Sequence, residues 1–190
     1  MKPSREVFWQ QTAMEFDKLA VALLQNPAAS FKDGRREYLS FQKKLLRAAE
    51  THWDRRHTRR LVAHHILSFA YFRARTWADY AEALLRVRRV GYLNLEHRMH
   101  AACETLEWAA IHAPSKTPLG WAMVMDVERR LRSMRRGHPV RKQALSAIVA
   151  VKRRVTQKGL TPPATPPATP TETSRRRGAR SRLHLPGPIA

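Results

Sequence analysis

The chain has a single cysteine, Cys103, and only seven glycines among its 190 residues. One cysteine excludes an internal disulfide and a zinc site built on paired thiolates, and Cys103 reads as a small buried apolar residue. With so few glycines there is no phosphate-cradling glycine-rich loop, and neither a Walker A segment nor a GxSxG elbow is present. Acid is scarce: 15 Asp and Glu stand against 36 Lys and Arg. The carboxylates are spread singly, and no ExxH or HExxH pair occurs. A paired acid and base for catalysis is therefore not evident. No charged start is followed by an apolar segment, as a secretory signal would require, so a cytoplasmic protein is expected. These absences point away from an enzyme, and no cofactor and no metal are expected.

What is present begins with Leu61–Phe72. Nine of these twelve residues are apolar, with only His64, His65 and Ser68 between them. The stretch shows no period-2 alternation, and it is too short to span a bilayer. Its apolar residues fall all round a helical wheel, which predicts a helix buried on every side. The fold class expected is all-α: a single bundle of six or seven helices around this central one, over residues 1–159.

The other helices are marked by their ends. Ser4 can cap a first helix over Arg5–Gln25, whose face carries Phe8, Thr12, Phe16, Leu19 and Leu23; Asn26-Pro27 stops it. A second helix is expected from about Gly34 to Thr51, with Asp33 as its cap. The central helix follows from near Asp54, and nothing between Thr51 and Asp54 forces a break. Thr76 opens a fourth helix that Gly91 stops, and Asn94 caps a fifth that runs to Ala113 before Pro114. The fifth has a stripe of small residues suited to close packing against the central helix. Thr117-Pro118 reads as N-cap and first position of a sixth helix ending at Gly137. His138-Pro139 starts a seventh, which ends at Gly159. The Pro/Thr repeat and arginine cluster of residues 160–190 have too little apolar content to fold, so a disordered basic tail is expected.

Charge is the main functional signal. The net charge is +21, which speaks to partners rather than to fold. It is unevenly placed: residues 1–30 are neutral, 31–60 carry +6, 61–113 carry +1, 114–158 carry +10, and 159–190 carry +4. Two basic segments thus flank a near-neutral middle. Arg55, Arg56, Arg59 and Arg60 precede the central stretch. If a helix starts there, they oppose its dipole unless an anion completes the site; if the second and third helices are one, they are a solvated face. Arg129, Arg130, Arg132, Arg135 and Arg136 close the sixth helix, and Arg141, Lys142, Lys152, Arg153 and Arg154 follow on the seventh. Dipole balance alone does not require so many. Arg175, Arg176 and Arg177 supply an auxiliary arm in the tail.

Nine histidines include His97 and His100, three apart on the fifth helix, which could meet His64 or His65. Without a carboxylate set they read as packed or solvent-facing residues rather than metal ligands. The function expected is a non-enzymatic protein that grips nucleic acid, DNA or RNA, through phosphates and without clear base specificity. The alternative is an interaction or scaffold module for an acidic protein, with homo-oligomers allowed. No membrane span is expected.

Overall fold

The computed structural model describes residues 5–163. All regular structure among them is helical: α1 (Arg5–Gln25), α2 (Phe31–Ala48), α3 (His52–Arg73), α4 (Trp77–Val90), α5 (Leu95–His112), α6 (Thr117–Ser133) and α7 (Pro139–Gln157). A 3₁₀ turn over Pro114–Lys116 precedes α6. The fold is the all-α bundle expected.

Local chemistry sets the boundaries. Thr76 and Asn94 cap α4 and α5 as their sequences suggest, accepting the N–H of Asp79 and His97 at 3.2 and 2.9 Å. Other ends differ from expectation, among them that of α2, which stops at Ala48 and not at Thr51. Ser30, not Asp33, caps α2; Asp33 sits three residues in and returns a bond to the Ser30 N–H, closing a capping box. The hydroxyl of Thr117 donates to the Pro114 carbonyl at 2.8 Å and so caps nothing. Finally, α6 ends at Ser133, whose hydroxyl bonds the Arg130 carbonyl at 2.8 Å. Gly137 therefore lies in the connection to α7 and is not the helix terminator.

α2 and α3 are separate helices. The Thr51 hydroxyl accepts the Asp54 N–H at 3.0 Å, while the Asp54 carboxylate accepts the Thr51 N–H at 3.1 Å and its hydroxyl at 2.6 Å. This second capping box opens α3 two residues before Asp54.

Side-chain contacts fix the direction of each helix. Trp9 meets His57, Phe16 stacks on His65, and Arg73 reaches the Leu24 carbonyl, so α1 runs parallel to α3. Tyr38 meets both His65 and Phe69, and Gly34 lies against Phe69; α2 is antiparallel to α3. Arg60 bonds the Val90 carbonyl at 3.0 Å, which makes α4 antiparallel too. His64 meets His97 and Tyr71 meets Glu107, so α5 is parallel to α3. Arg98 pairs with Asp126, and Lys152 with Glu128, placing α6 antiparallel to both α5 and α7.

Two apolar clusters fill the bundle and share α5. One gathers Phe16, Tyr38, Ile66, Phe69, Tyr80, Leu84 and Trp108; the other gathers Leu106, Trp121, Val124, Leu131, Ile148 and Val151. Burying a large apolar side chain stabilises by roughly 1.5–3 kcal/mol, against about 1 kcal/mol for a cap, so packing dominates. The central helix is not buried all round. Ser68 is exposed and Phe72 is 58% exposed, because α1, α2, α4 and α5 leave one edge of α3 uncovered. α5 does lie against α3, but its closest approach is to α6. A Cβ added at Gly120 would stand 2.6 Å from the Leu106 Cα.

That approach makes Gly120 a packing residue. Gly120→Ala is expected to lower unfolding free energy in urea by about 1–3 kcal/mol, although alanine favours helix by roughly 1 kcal/mol. Gly137→Ala, where an added Cβ meets nothing within 4 Å, is expected to leave stability unchanged or slightly raised. Equal behaviour of the two variants would contradict the α5–α6 packing.

Candidate nucleic-acid interface

Alternating helix direction collects one set of termini at one end of the bundle: the starts of α1, α3, α5 and α7, and the ends of α2, α4 and α6. The sequence loads that end with cations. Lys43, Lys44 and Arg47 lie in the last turns of α2, and Arg88 and Arg89 in the last turn of α4. Arg55, Arg56, Arg59 and Arg60 are in the first turns of α3. Arg129, Arg130 and Arg132 end α6, Arg135 and Arg136 occupy the 134–138 connection, and Arg141 and Lys142 begin α7. Lys152, Arg153 and Arg154 are carried by α7 toward the opposite end. Arg175, Arg176 and Arg177 lie outside the described residues.

Helix dipoles account for part of this. Cations at the ends of α2, α4 and α6 face partial negative charge, whereas those at the starts of α3 and α7 face partial positive charge. α7 has no acid in its first turn. α3 has Asp54, but the carboxylate is buried and bonded to Thr51, so the start of α3 is already satisfied from within. An anion is not needed to complete that helix end.

The cations fall into two groups. Several are paired with acids: Arg130 meets Asp126 at 3.2 Å, Arg132 and Lys152 share Glu128 at 2.6 and 2.9 Å, and Arg154 holds Glu107 at 2.5 Å. Burial works to raise the Glu128 pKa, but hydrogen bonds from Arg132 and Lys152 and their charges hold it below the usual carboxylate value. Arg60 is fixed on the Val90 carbonyl. By contrast Arg55, Arg56, Arg59, Arg129, Arg135 and Arg136 are exposed, and none makes an ion pair among the described residues. Arg153 and Lys142 are in the same state.

Beside the basic end, Arg88, Tyr92, Arg98 and Asp126 line a cavity of about 330 Å³ between α4, α5 and α6. There Arg98 sits over the Tyr92 ring at 5.3 Å and pairs with Asp126 at 2.7 Å. It shares that carboxylate with Arg130.

Aromatic rings were not singled out in the sequence as part of this region, yet three converge on α3's start. Trp53 and His57 stack at 4.7 Å with planes 7° apart, and Trp9 stands edge-on to both. The four-residue spacing of Trp53 and His57 among arginines was the only local signal; the approach of Trp9 from α1 has none.

The histidines meet in part. His97 reaches His64 across α5 and α3, with ring centroids 4.9 Å apart. No group of three or more His, Cys, Asp or Glu able to hold a metal occurs among the described residues. Burial first, then the charges of His97 and His65, push His64 down to about 4, so it is neutral at pH 7. The carboxylates are less solitary than their sequence spacing suggests. Glu104 and Glu107 lie three apart on α5, and burial followed by the Glu107 charge pushes Glu104 up to about 7. Neighbouring Cys103 is pushed up to about 12, mainly by burial, which leaves its thiol protonated at neutral pH and unreactive. Among the described residues no helix is long and apolar enough to cross a membrane.

No protein-family model matches this chain, and no curated protein and no solved structure matches it. The functional argument therefore rests on the residues themselves.

Glu104 gives a pH test of the interior. Its folded pKa lies above the ordinary 4.5, so its contribution to stability is complete below that value and is lost as pH rises through about 7. Glu104→Gln removes the titration. The Tm of Glu104→Gln relative to the parent is expected to rise between pH 5 and pH 9. A constant difference across that range would show that the carboxyl is well solvated.

Proposed function

We propose that the basic end of the bundle binds nucleic acid through the phosphate backbone, as a non-enzymatic protein without base-specific hydrogen bonding. One observation carries this: arginines with no acid partner among the described residues lie at one end of the bundle, including the start of α3, where the dipole disfavours them. Concentrated positive charge of this kind raises a field that draws a polyanion and is relieved when one binds. Six exposed arginines that make no ion pair among the described residues suit contacts to phosphates, and such contacts fix position without reading sequence. Arg175, Arg176 and Arg177 add charge that can follow the same backbone.

Salt dependence is the direct test. With about six phosphates neutralised, affinity for a 20-base-pair duplex is expected to fall roughly 10³-fold between 50 and 200 mM salt. Reversing Arg129, Arg135 and Arg136 to glutamate is expected to reduce the log–log salt slope by about three. Tm should stay within about 3 °C of the parent, since these side chains make no hydrogen bond or ion pair among the described residues. A sharp fall in Tm would make them structural. Absence of binding to duplex and to RNA at low salt would overturn the proposal and leave an acidic protein as the partner to seek.

A further inference from the structure

The phosphate contacts proposed above do not explain the aromatic corner at the start of α3. Trp53 is 53% exposed, although burial of a tryptophan is among the larger stabilising terms available to a fold. It shares one helix face with Arg56, His57 and Arg60, at spacings of three, four and seven residues. Its ring is not loose: His57 stacks on it, and Trp9 stands edge-on to the pair at 6.1 and 4.8 Å. Arg60 is anchored on the Val90 carbonyl, which ties this face to the end of α4. An indole held in place, partly open to water and sharing its helix face with exposed Arg56 is built like a base-stacking platform.

We infer that this corner takes an unstacked nucleobase against Trp53, so that the basic end prefers single-stranded nucleic acid to duplex. The chemistry is general. Every base has a π-face, so stacking is tolerant of sequence and agrees with phosphate contacts that read none. In a duplex the bases are stacked on one another and present no face to the indole, leaving only the phosphate contacts. The preorganised Trp53–His57 pair limits the ordering entropy lost on binding. The inference rests on the phosphate-binding proposal and adds the class of strand and the residue that selects it.

The test uses the full-length chain and labelled 20-nucleotide oligo(dT) and oligo(U), with a mixed-sequence 20-base-pair duplex beside them, by fluorescence anisotropy at low salt. The parent is expected to bind at least one of the single strands about tenfold more tightly than the duplex. Trp53→Leu keeps apolar bulk but cannot stack, and is expected to weaken single-strand binding about tenfold while duplex affinity stays constant. Trp53→Phe is expected to restore most of the loss. Strand binding should also quench intrinsic fluorescence in the parent, and less so in Trp53→Phe, because of the five tryptophans Trp53 is the exposed one, Trp9 and Trp77 being half-buried and Trp108 and Trp121 buried. DNA and RNA arms separate the two strand types, and tight binding of either supports the inference. Equal affinity for strand and duplex, or a Trp53→Leu loss that is the same for both, would overturn the platform while leaving phosphate binding intact. No binding of any of the three ligands at low salt would overturn both.

Discussion

Connections of three to five residues join each helix to the next. Links that short cannot carry the chain back along a helix, so each helix turns sharply into the next, and burial of the apolar faces lays neighbours antiparallel. Everything else in the bundle follows from that constraint. Termini are sorted into two ends, and residues that are distant in sequence become neighbours. The last turns of α2, α4 and α6 lie at the same end as the first turns of α3 and α7, with α2 and α4 packed on α3 and with α6 packed on α7. Part of each basic segment, Arg55 to Arg60 of one and Arg129 to Lys142 of the other, comes to that end although a near-neutral stretch separates them in sequence.

Gathering like charges has an electrostatic cost, and the fold relieves it selectively. Asp126, Glu128 and Glu107 take Arg130, Arg132, Lys152 and Arg154. The dipoles of α2, α4 and α6 favour the cations at their ends. Neither device reaches Arg55, Arg56 and Arg59, nor the connection that holds Arg135 and Arg136. The ion pairs on α6 and α7 are mostly exposed, so each is worth about 0–1 kcal/mol; they orient side chains more than they stabilise the bundle. Stability comes from the two apolar clusters, and from the α5–α6 contact that only a residue without a side chain permits at Gly120.

Much of the architecture was legible beforehand because it is local. The Thr76 and Asn94 caps, the stop at Asn26-Pro27 and the start at Pro139 depend on residues within a turn of each boundary. Where the expectation failed, two local signals competed. Ser30 and Asp33 both can cap, and reciprocal bonding chose Ser30. Thr51 and Asp54 form the same kind of box, which separates α2 from α3 although no proline or glycine lies between them. Gly137 resembled a helix terminator, but the chain leaves the helix at Ser133. Of the candidate site, the identity of the cations was readable and their state was not. The pairs Arg130–Asp126 and Arg132–Glu128 follow from four-residue spacing, whereas Glu107 reaching Arg154 and Glu128 reaching Lys152 cross between helices.

By itself the sequence determined that this chain would be helical, where most of its helices would start, and that its positive charge would outrun its acid. Those are consequences of backbone propensity, capping and composition, which act over a few residues. The tertiary structure alone decided which termini share an end, which arginines keep their charge unanswered, and that Trp9 would stand against Trp53 and His57. These depend on the direction in which helices pack. That direction is set by burying apolar faces that lie tens of residues apart, and no short stretch of sequence contains it.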